Sequence, residues 1–570
     1  MASAPILNSV PTITSVQEMI LRSARVYGEK VALQDLKDTP IPYLTYASLL
    51  RNIMKFGSAL RALGLKERSH IAVIGENRVQ WSLSYLTCMA FNHVVVPVDR
   101  NLPINDVLNI LHESEATAVI HSEAFEPIFR ESRGSMKRIK HYINMDSQKE
   151  KDGVHSMVEM IDRAAPLTPD HLPKVNPDDM AEIIFTSGSL GRAKGVMLSQ
   201  TNLAANLVAM VSMMMIYPED KFLCVLPIHH TYACTCGFLC PMYTGASVHF
   251  AQSLKTIVDD LQTVHATMLL AVPLLYDKMF KRIHKGIEEK KLTALLIPPL
   301  VKAGEVAEKL GWKGFRRQVF KEIHEKFGGS IRCFIAGGAA QDPIVAKGLR
   351  DFGFSFVQGY GLTETGPILT LNQIHNCKDD SAGQALPGVT LKIDSPDHFG
   401  VGEIWAKGKN VMLGYYKNET ATAEVFKDGW FTTGDLGRFD EDGFLHIAGR
   451  QKNVIISKSG ENVYPEEIED LLNRSSFVLE SLVYGEADAK HDEIIAVQVV
   501  VDGEAFIERA ETRGTPITDE MMKGVIAEEI AHVNAQIPPY KQIRKFYIRD
   551  REFEKTTTQK VKRFLAVKKP

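Results

Sequence analysis

Residues 182–195 read EIIFTSGSLGRAKG, and VMLS follows at 196–199. Ile183, Ile184 and Phe185 make a short apolar run that predicts a buried strand, cut off at once by turn-forming residues. Those residues are Thr186, Ser187, Gly188, Ser189, Gly191, Lys194 and Gly195, with Leu190 among them. Glycines let backbone N–H groups approach an anion, hydroxyls donate hydrogen bonds, and an ammonium adds charge, so the pattern predicts a phosphate cradle. A plain surface hairpin is the alternative. The loop is not G-x-x-x-x-G-K-[ST], because Gly195 follows Lys194.

Outward from this loop the same texture repeats. Strand-like VALQDL (31–36), HIAVIG (70–75), VVVPV (94–98) and TAVIH (117–121) alternate with helical stretches at 45–63, 78–91 and 104–113. Ser15 to Glu18 reads S-x-x-E before Met19, a helix-start signature. Beyond the loop come FLCVLP (222–227), MLLAV (268–272), IRCFIAGG (331–338) and FSFVQGYG (354–361). This β-α-β-α order predicts an α/β fold with parallel or mixed sheets. From about residue 385 turns such as Asp428-Gly429 and Asp442-Gly443 separate short apolar pieces, predicting a β-rich, mostly antiparallel subdomain. Past Arg450 a small α+β pattern follows, with a helix from Pro465, strands at 480–485, 494–501 and 545–550, and a helix at 519–535. The boundary falls within GRQKN, giving domains 1–450 and 451–570.

Composition narrows the class. A chain of 570 residues, 45% hydrophobic and 24% charged, is globular and multidomain. A net charge of −3 gives no global case for nucleic acid. Seven cysteines in this length are no disulfide framework, which favours a reducing cytoplasm. MASAPILNSVPTITSVQEM lacks the basic start and apolar core of a secretory signal. No run reaches the ~18 apolar residues of a membrane span, which leaves peripheral membrane contact open.

Six further stretches stand in order behind the loop: LPIHH (226–230), AGGA (336–339), GYGLTET (359–365), GWFTTGD (429–435), GRQKNVIISKSGENVYPEEIE (449–469) and KTTTQKVKR (555–563). Together they resemble the adenylate-forming superfamily of acyl-CoA synthetases, luciferase-like enzymes and peptide-synthetase adenylation domains, over residues 180–565. The stretch NVIISKSGENVYPEEIE is most similar to fatty-acyl-CoA synthetases. Residues 1–170 join only through their α/β texture.

The resemblance implies a large N-terminal domain and a small mobile C-terminal lid. It implies ATP-dependent activation of a carboxylic acid to acyl-AMP, then thioester formation with CoA, with magnesium as cofactor. Thr186, Ser187, Gly188, Ser189, Gly191 and Lys194 would hold the outer phosphates, and Glu364 the magnesium. Thr363 would contact the α-phosphate, Gly338 and Tyr360 would flank adenine, and Asp435 and Arg450 would serve the ribose side. His230 would lie by the acyl carboxylate, with His229 one residue away as its rival. Lys452 would be the hinge, Ser459, Gly460 and Glu461 the CoA loop, and Lys560 the catalytic lysine of the first step. Lys555 and Lys562 are read as solvated neighbours of Lys560.

Ala193, Leu190, Gln559 and Glu554 depart from the family pattern without removing a reactive group. His229 and His230 with Cys234, Cys236 and Cys240 offer a metal-like spacing, but the apolar neighbours Tyr232, Phe238 and Leu239 favour a pocket wall. Residues 222–250 and 331–370 are expected to line an apolar acyl pocket. The alternatives are an acyl carrier protein as acceptor, an aryl acid as substrate, a peptide-synthetase module, and a non-catalytic binding protein with a decayed site. The last is disfavoured because Lys194, Glu364, Asp435, Arg450 and Lys560 all remain chemically able.

Overall fold

The computed structural model describes residues 5–165, 167–186, 193–288, 291–312, 314–457, 461–487, 493–556 and 561–567; side chains are described at all of these except 288, 291–294 and 564. The chain forms two compact units. The first comprises Met1–Leu391, Ala406–Phe431 and Gly443–Leu445; the second comprises Lys392–Trp405, Thr432–Asp442 and His446–Pro570.

Two sheets build the first unit. In the nine-stranded sheet the strands Cys333–Ala336, Met268–Ala271, Lys221–Cys224, Ser247–Phe250 and Val31–Asp35 run parallel in that spatial order. Ser355–Gly361 continues the sheet in parallel, then pairs antiparallel with Ile368–Leu371. In the eight-stranded sheet, Met180–Thr186 lies between Val94–Val98 and Lys194–Ser199. Val94–Val98 is buried along its whole length between two parallel neighbours, which explains its unbroken VVVPV run.

Helices fill the space between the sheets. Every residue of Val79–Ala90 is buried, and this helix touches Val31–Asp35 of one sheet and His70–Ile74 and Val94–Val98 of the other. Gln200–Met213 likewise touches Lys194–Ser199 and Ile368–Leu371. A helix covered on all sides loses its polar face, and QWSLSYLTCMA accordingly shows little amphipathic contrast. The helix start at Ser15 forms as expected: its hydroxyl accepts from the Glu18 N–H at 3.0 Å. The Glu18 carboxylate turns back to the Thr14 N–H at 2.7 Å, one residue earlier than a reciprocal capping box requires.

The Asp428-Gly429 turn joins Phe426–Lys427 to Trp430, with Phe426 opposite Phe431. Both turn residues have positive φ, 51° and 77°, the geometry that matches strand twist in a tight hairpin. In the second unit Val478–Ala487 pairs antiparallel with Glu493–Val501, which pairs in parallel with Lys545–Arg549. Ile468, Leu472, Val483, Val497, Val499, Ile526 and Ile530 form its core, under the helices Pro465–Leu472 and Asp519–Asn534. A helix at Gly503–Arg513, capped by the Asp502 carboxylate, also joins this unit. Among the described residues no helix is long and apolar enough to cross a membrane.

Candidate active site

In open α/β sheets ligands gather beyond the carboxyl ends of the strands. Here that edge carries Gly338 after Cys333–Ala336, Tyr360 near the end of the adjacent Ser355–Gly361, and the 226–230 loop after Lys221–Cys224. Gly338 has φ 86°, a conformation that favours glycine. At Gly337 a Cβ would come within 2.6 Å of the Tyr232 ring, so the AGGA glycines admit an aromatic wall and a left-handed turn.

GYGLTET is held from three sides. A Cβ on Gly361 would stand 1.9 Å from the Pro367 carbonyl oxygen, so the returning chain fits only against glycine. Thr363, Glu364 and Thr365 form one 3-10 turn. The Asn410 side-chain amide donates to the carbonyls of Thr365 (2.8 Å) and Ile368 (3.1 Å). Asn206 exchanges two hydrogen bonds with the Ile368 backbone, at 2.7 and 3.2 Å.

Glu364 and Lys194 meet at Tyr415. The Tyr415 hydroxyl donates to Glu364 Oε1 at 2.9 Å, while Lys194 Nζ lies 4.8 Å from the centre of its ring. Burial, and next the Glu364 charge, push the phenol well above its ordinary range, so it stays protonated as a donor. Tyr415 is placed by pairing of Gly414–Tyr415 with Met197 and Val196. Thr186 lies opposite Lys194 across the hairpin. One aromatic side chain thus holds a carboxylate at its hydroxyl and a cation over its ring.

The 226–230 loop is fixed by Asn77, whose amide donates to the Leu226 carbonyl at 2.6 Å and accepts from the Ile228 N–H at 3.0 Å. His229 is buried, with Nε2 3.4 Å from Asp99 Oδ1. His230 is more exposed, its ring centre 4.1 Å from that of His229. Among the described residues, Asp99, His229 and His230 are the one group with metal-like spacing, and no cysteine joins them. Cys234, Cys236 and Cys240 are instead buried in the successive helical segments Tyr232–Leu239 and Cys240–Thr244. Burial raises all three thiols, Cys240 to about 12.

In the second unit Asp435 is buried, and Arg450 Nε lies 3.0 Å from its Oδ1. The Asp435 N–H donates to Thr433 Oγ1 at 3.1 Å, and that hydroxyl donates to the Ile404 carbonyl at 2.7 Å. Lys452 sits in the Gln451–Asn453 turn, where partial burial and then the Arg450 charge lower its ammonium from the ordinary range. Glu461 closes a hairpin with Ser457, by bonds of 2.9 and 3.0 Å. With Asp397, Tyr464, Tyr540 and Lys541 it lines a cavity of about 250 Å³. Lys555 pairs with Glu480 and Glu552, each at 2.8 Å. Ser187, Gly188, Ser189, Gly191, Ser459, Gly460 and Lys560 lie outside the described residues.

Sequence reasoning missed Tyr415, Asn77, Asp99, Asn206 and Asn410. Only the clustering of tyrosines in GYYKN, next to a glycine with φ 140°, offered a signal for Tyr415.

The profile of the AMP-binding enzyme family matches residues 20–416, and that of the AMP-binding enzyme C-terminal domain matches 467–560. The long-chain-fatty-acid–CoA ligase FadD15 of Mycobacterium bovis is 26% identical over 100% of this chain and 97% of its own length. The chloroplastic long-chain-fatty-acid–[acyl-carrier-protein] ligase AEE15 of Arabidopsis thaliana is 28% identical over 83% of this chain and 75% of its own. Among solved structures, the anthranilate CoA ligase AuaEII in complex with anthranoyl-AMP superposes with a TM-score of 0.78 at 19% identity, covering 98% of this chain and 97% of its own. With a family profile spanning most of the first unit and its companion matching much of the second, the chain belongs to the AMP-binding enzyme family.

Proposed function

We propose that this protein is an acid–thiol ligase that activates a fatty acid with ATP and passes the acyl group to CoA. The carrying observation is the convergence of Lys194 and Glu364 on Tyr415 beside the Thr363–Thr365 turn. Joining a carboxylate to a nucleotide phosphate brings anion to anion, so the reaction needs positive charge and positioning more than a protein nucleophile. The substrate oxygen attacks the α-phosphorus, the bond to pyrophosphate breaks, and acyl-AMP forms. The CoA sulfur then attacks the acyl carbon, AMP leaves, and the thiol proton is released.

Lys194, Thr186, Ser187, Gly188, Ser189 and Gly191 hold the departing phosphates in this reading. Thr363 faces the α-phosphate, and Gly338 and Tyr360 flank the base. Asp435 and Arg450 take the ribose side. His230 borders the acyl carboxylate, supported by the fixed 226–230 loop. Glu364 fits a magnesium ion: its carboxylate offers hard oxygen and is oriented by a neutral donor, not an ammonium. Bound magnesium would neutralise phosphate charge.

Domains 1–450 and 451–570 act as body and lid. Lys452 is the hinge, Lys560 serves the first lid position, and Ser459, Gly460 and Glu461 pass the pantetheine arm in the second. A cytoplasmic site is supported by seven free cysteines, six of them buried. The fatty-acid ligases among the relatives favour an apolar acid. The mycobacterial relative supports CoA as acceptor, the plant relative keeps a carrier protein as the second reading, and the anthranilate ligase keeps aryl acids as a third.

The test is a panel of acids from acetate to stearate plus benzoate, each with ATP and either CoA or acyl carrier protein. The proposal expects pyrophosphate release to peak with long-chain acids and thioester to appear on CoA. A peak at benzoate, or thioester only on the carrier protein, would replace it with the corresponding alternative. No acid-dependent pyrophosphate at all would make the chain a binding protein.

A further inference from the structure

The helix Lys291–Lys309 carries apolar residues toward the core and a second apolar stripe toward water, beside exposed charges. Ile297, Leu300 and Val301 pack on the core of the nine-stranded sheet. On the opposite side Leu295 is 76% exposed and Val306 57%, and Leu310, just past the last turn, is 82% exposed. At 100° per residue these three fall within about a sixth of the helix circumference, with Pro299 between them and Leu296, 58% exposed, at the border. Trp312, 61% exposed, ends the stripe and is fixed by its N–H bond to the Ala307 carbonyl at 2.9 Å. A helix that only covers a core turns mainly polar residues to water, whereas this one adds an exposed apolar stripe beside its charged residues.

Charge beside the stripe identifies what the face suits. Lys302 and Lys309 project along one flank and make no ion pair among the described residues. The acids of the same helix are occupied: Glu305 lies 4.0 Å from Lys347, and Glu308 lies 3.4 Å from Arg316. From Pro273 to Lys326 the sequence has 13 Lys and Arg against 7 Asp and Glu, in a chain whose net charge is −3. Exposed leucines, a tryptophan and flanking lysines match an anionic bilayer surface, where apolar side chains enter the acyl boundary and ammonium groups meet lipid phosphates. A second copy of the chain would set lysines against lysines.

We propose that the Lys291–Leu310 face is a docking surface for anionic lipid bilayers. Binding there goes beyond the ligase reading, since neither adenylation nor thioester formation is needed for it.

The experiment is co-flotation of the full chain with vesicles of phosphatidylcholine, with and without phosphatidylglycerol. Wild type should bind the anionic vesicles, bind neutral ones far less, and release as salt rises. Lys302→Glu/Lys309→Glu should weaken binding about tenfold or more. Leu295→Glu/Val306→Glu/Leu310→Glu should abolish it, and Leu254→Glu, at an exposed leucine outside the stripe, should not change it. Trp312 emission, read as wild type minus Trp312→Phe, should shift to the blue with anionic vesicles. If the triple variant fails to fold by circular dichroism, Leu295→Gln/Leu310→Gln takes its place. Equal binding by the stripe variants, no binding by wild type, or lipid-free self-association that the glutamates abolish would each overturn the proposal. AMP formation from a water-soluble acid, followed in parallel, reports the ligase reading independently.

Discussion

The Tyr415 hydroxyl donates to Glu364 Oε1 at 2.9 Å while the same ring receives the Lys194 ammonium 4.8 Å from its centre. The tyrosine therefore aligns a carboxylate and a cation that lie 170 residues apart in sequence. Tyr415→Phe keeps the ring and deletes the donor. A hydrogen bond to a charged group contributes about 1.5–3 kcal/mol, so kcat/KM for ATP should fall about tenfold or more. Tyr415→Ala should fall further, because Lys194 also loses its platform. Steady-state kinetics at saturating acid check this; a Tyr415→Phe enzyme with wild-type kcat/KM would leave the hydroxyl without a role.

Much of the fold was legible because local and global signals agree. VVVPV at 94–98 and the helix at 104–113 occupy the residues that their patterns predict. The site was legible only where one motif carries it, as in GYGLTET. Tyr415 was not, because Gly414–Tyr415 is a strand of two residues whose place depends on pairing with Val196 and Met197. Asn77 and Asp99 were hidden for the same reason. They come from the motif-poor first 170 residues and reach the 226–230 loop only through tertiary packing.

Glu182 makes the stability of the fold depend on pH. It is fully buried in the strand ahead of the glycine loop, with Tyr85 donating to its Oε2 at 3.2 Å and no hydrogen bond to Oε1 among the described residues. Burial pushes its carboxyl up to about 8 from an ordinary 4.5. A raised acid is protonated when folded and ionised when unfolded between those values, so the unfolded state binds fewer protons. Its contribution to stability is full below pH 4.5 and is lost as pH rises toward 8. Glu182→Gln mimics the neutral form. Urea unfolding across this range should show a shallower decline for the variant and a gain of a few kcal/mol near pH 8. Identical pH slopes would mean that Glu182 is ionised in the fold.

Arg450 Nε approaches the buried Asp435 carboxylate at 3.0 Å. Asp435→Ala removes the acceptor proposed for the ribose hydroxyls and should raise KM for ATP about tenfold or more. Arg450→Ala removes one charged partner of this buried carboxylate and should lower thermal stability as well. ATP titrations with both variants, read beside their melting curves, separate the roles. An unchanged KM in Asp435→Ala would make the pair structural.

Lys555 is tied to Glu480 and Glu552, each at 2.8 Å, which makes it a structural counterpart to Lys560. Lys560→Ala should lose most acyl-AMP formation from acid and ATP, yet still convert supplied acyl-AMP and CoA to thioester. Lys555→Ala should affect stability more than either half-reaction. Equal loss of both half-reactions in Lys560→Ala would contradict the two-position lid.

The central claim is that one chain couples fatty-acid activation to AMP release and passes the acyl group to CoA. Phosphorus NMR of a reaction with a long-chain fatty acid, ATP, magnesium and CoA tests it most directly when acyl-CoA is quantified in the same sample. The account predicts AMP, pyrophosphate and acyl-CoA in equal amounts, all dependent on the fatty acid. ADP and orthophosphate in place of AMP and pyrophosphate, or AMP without acyl-CoA, would contradict it.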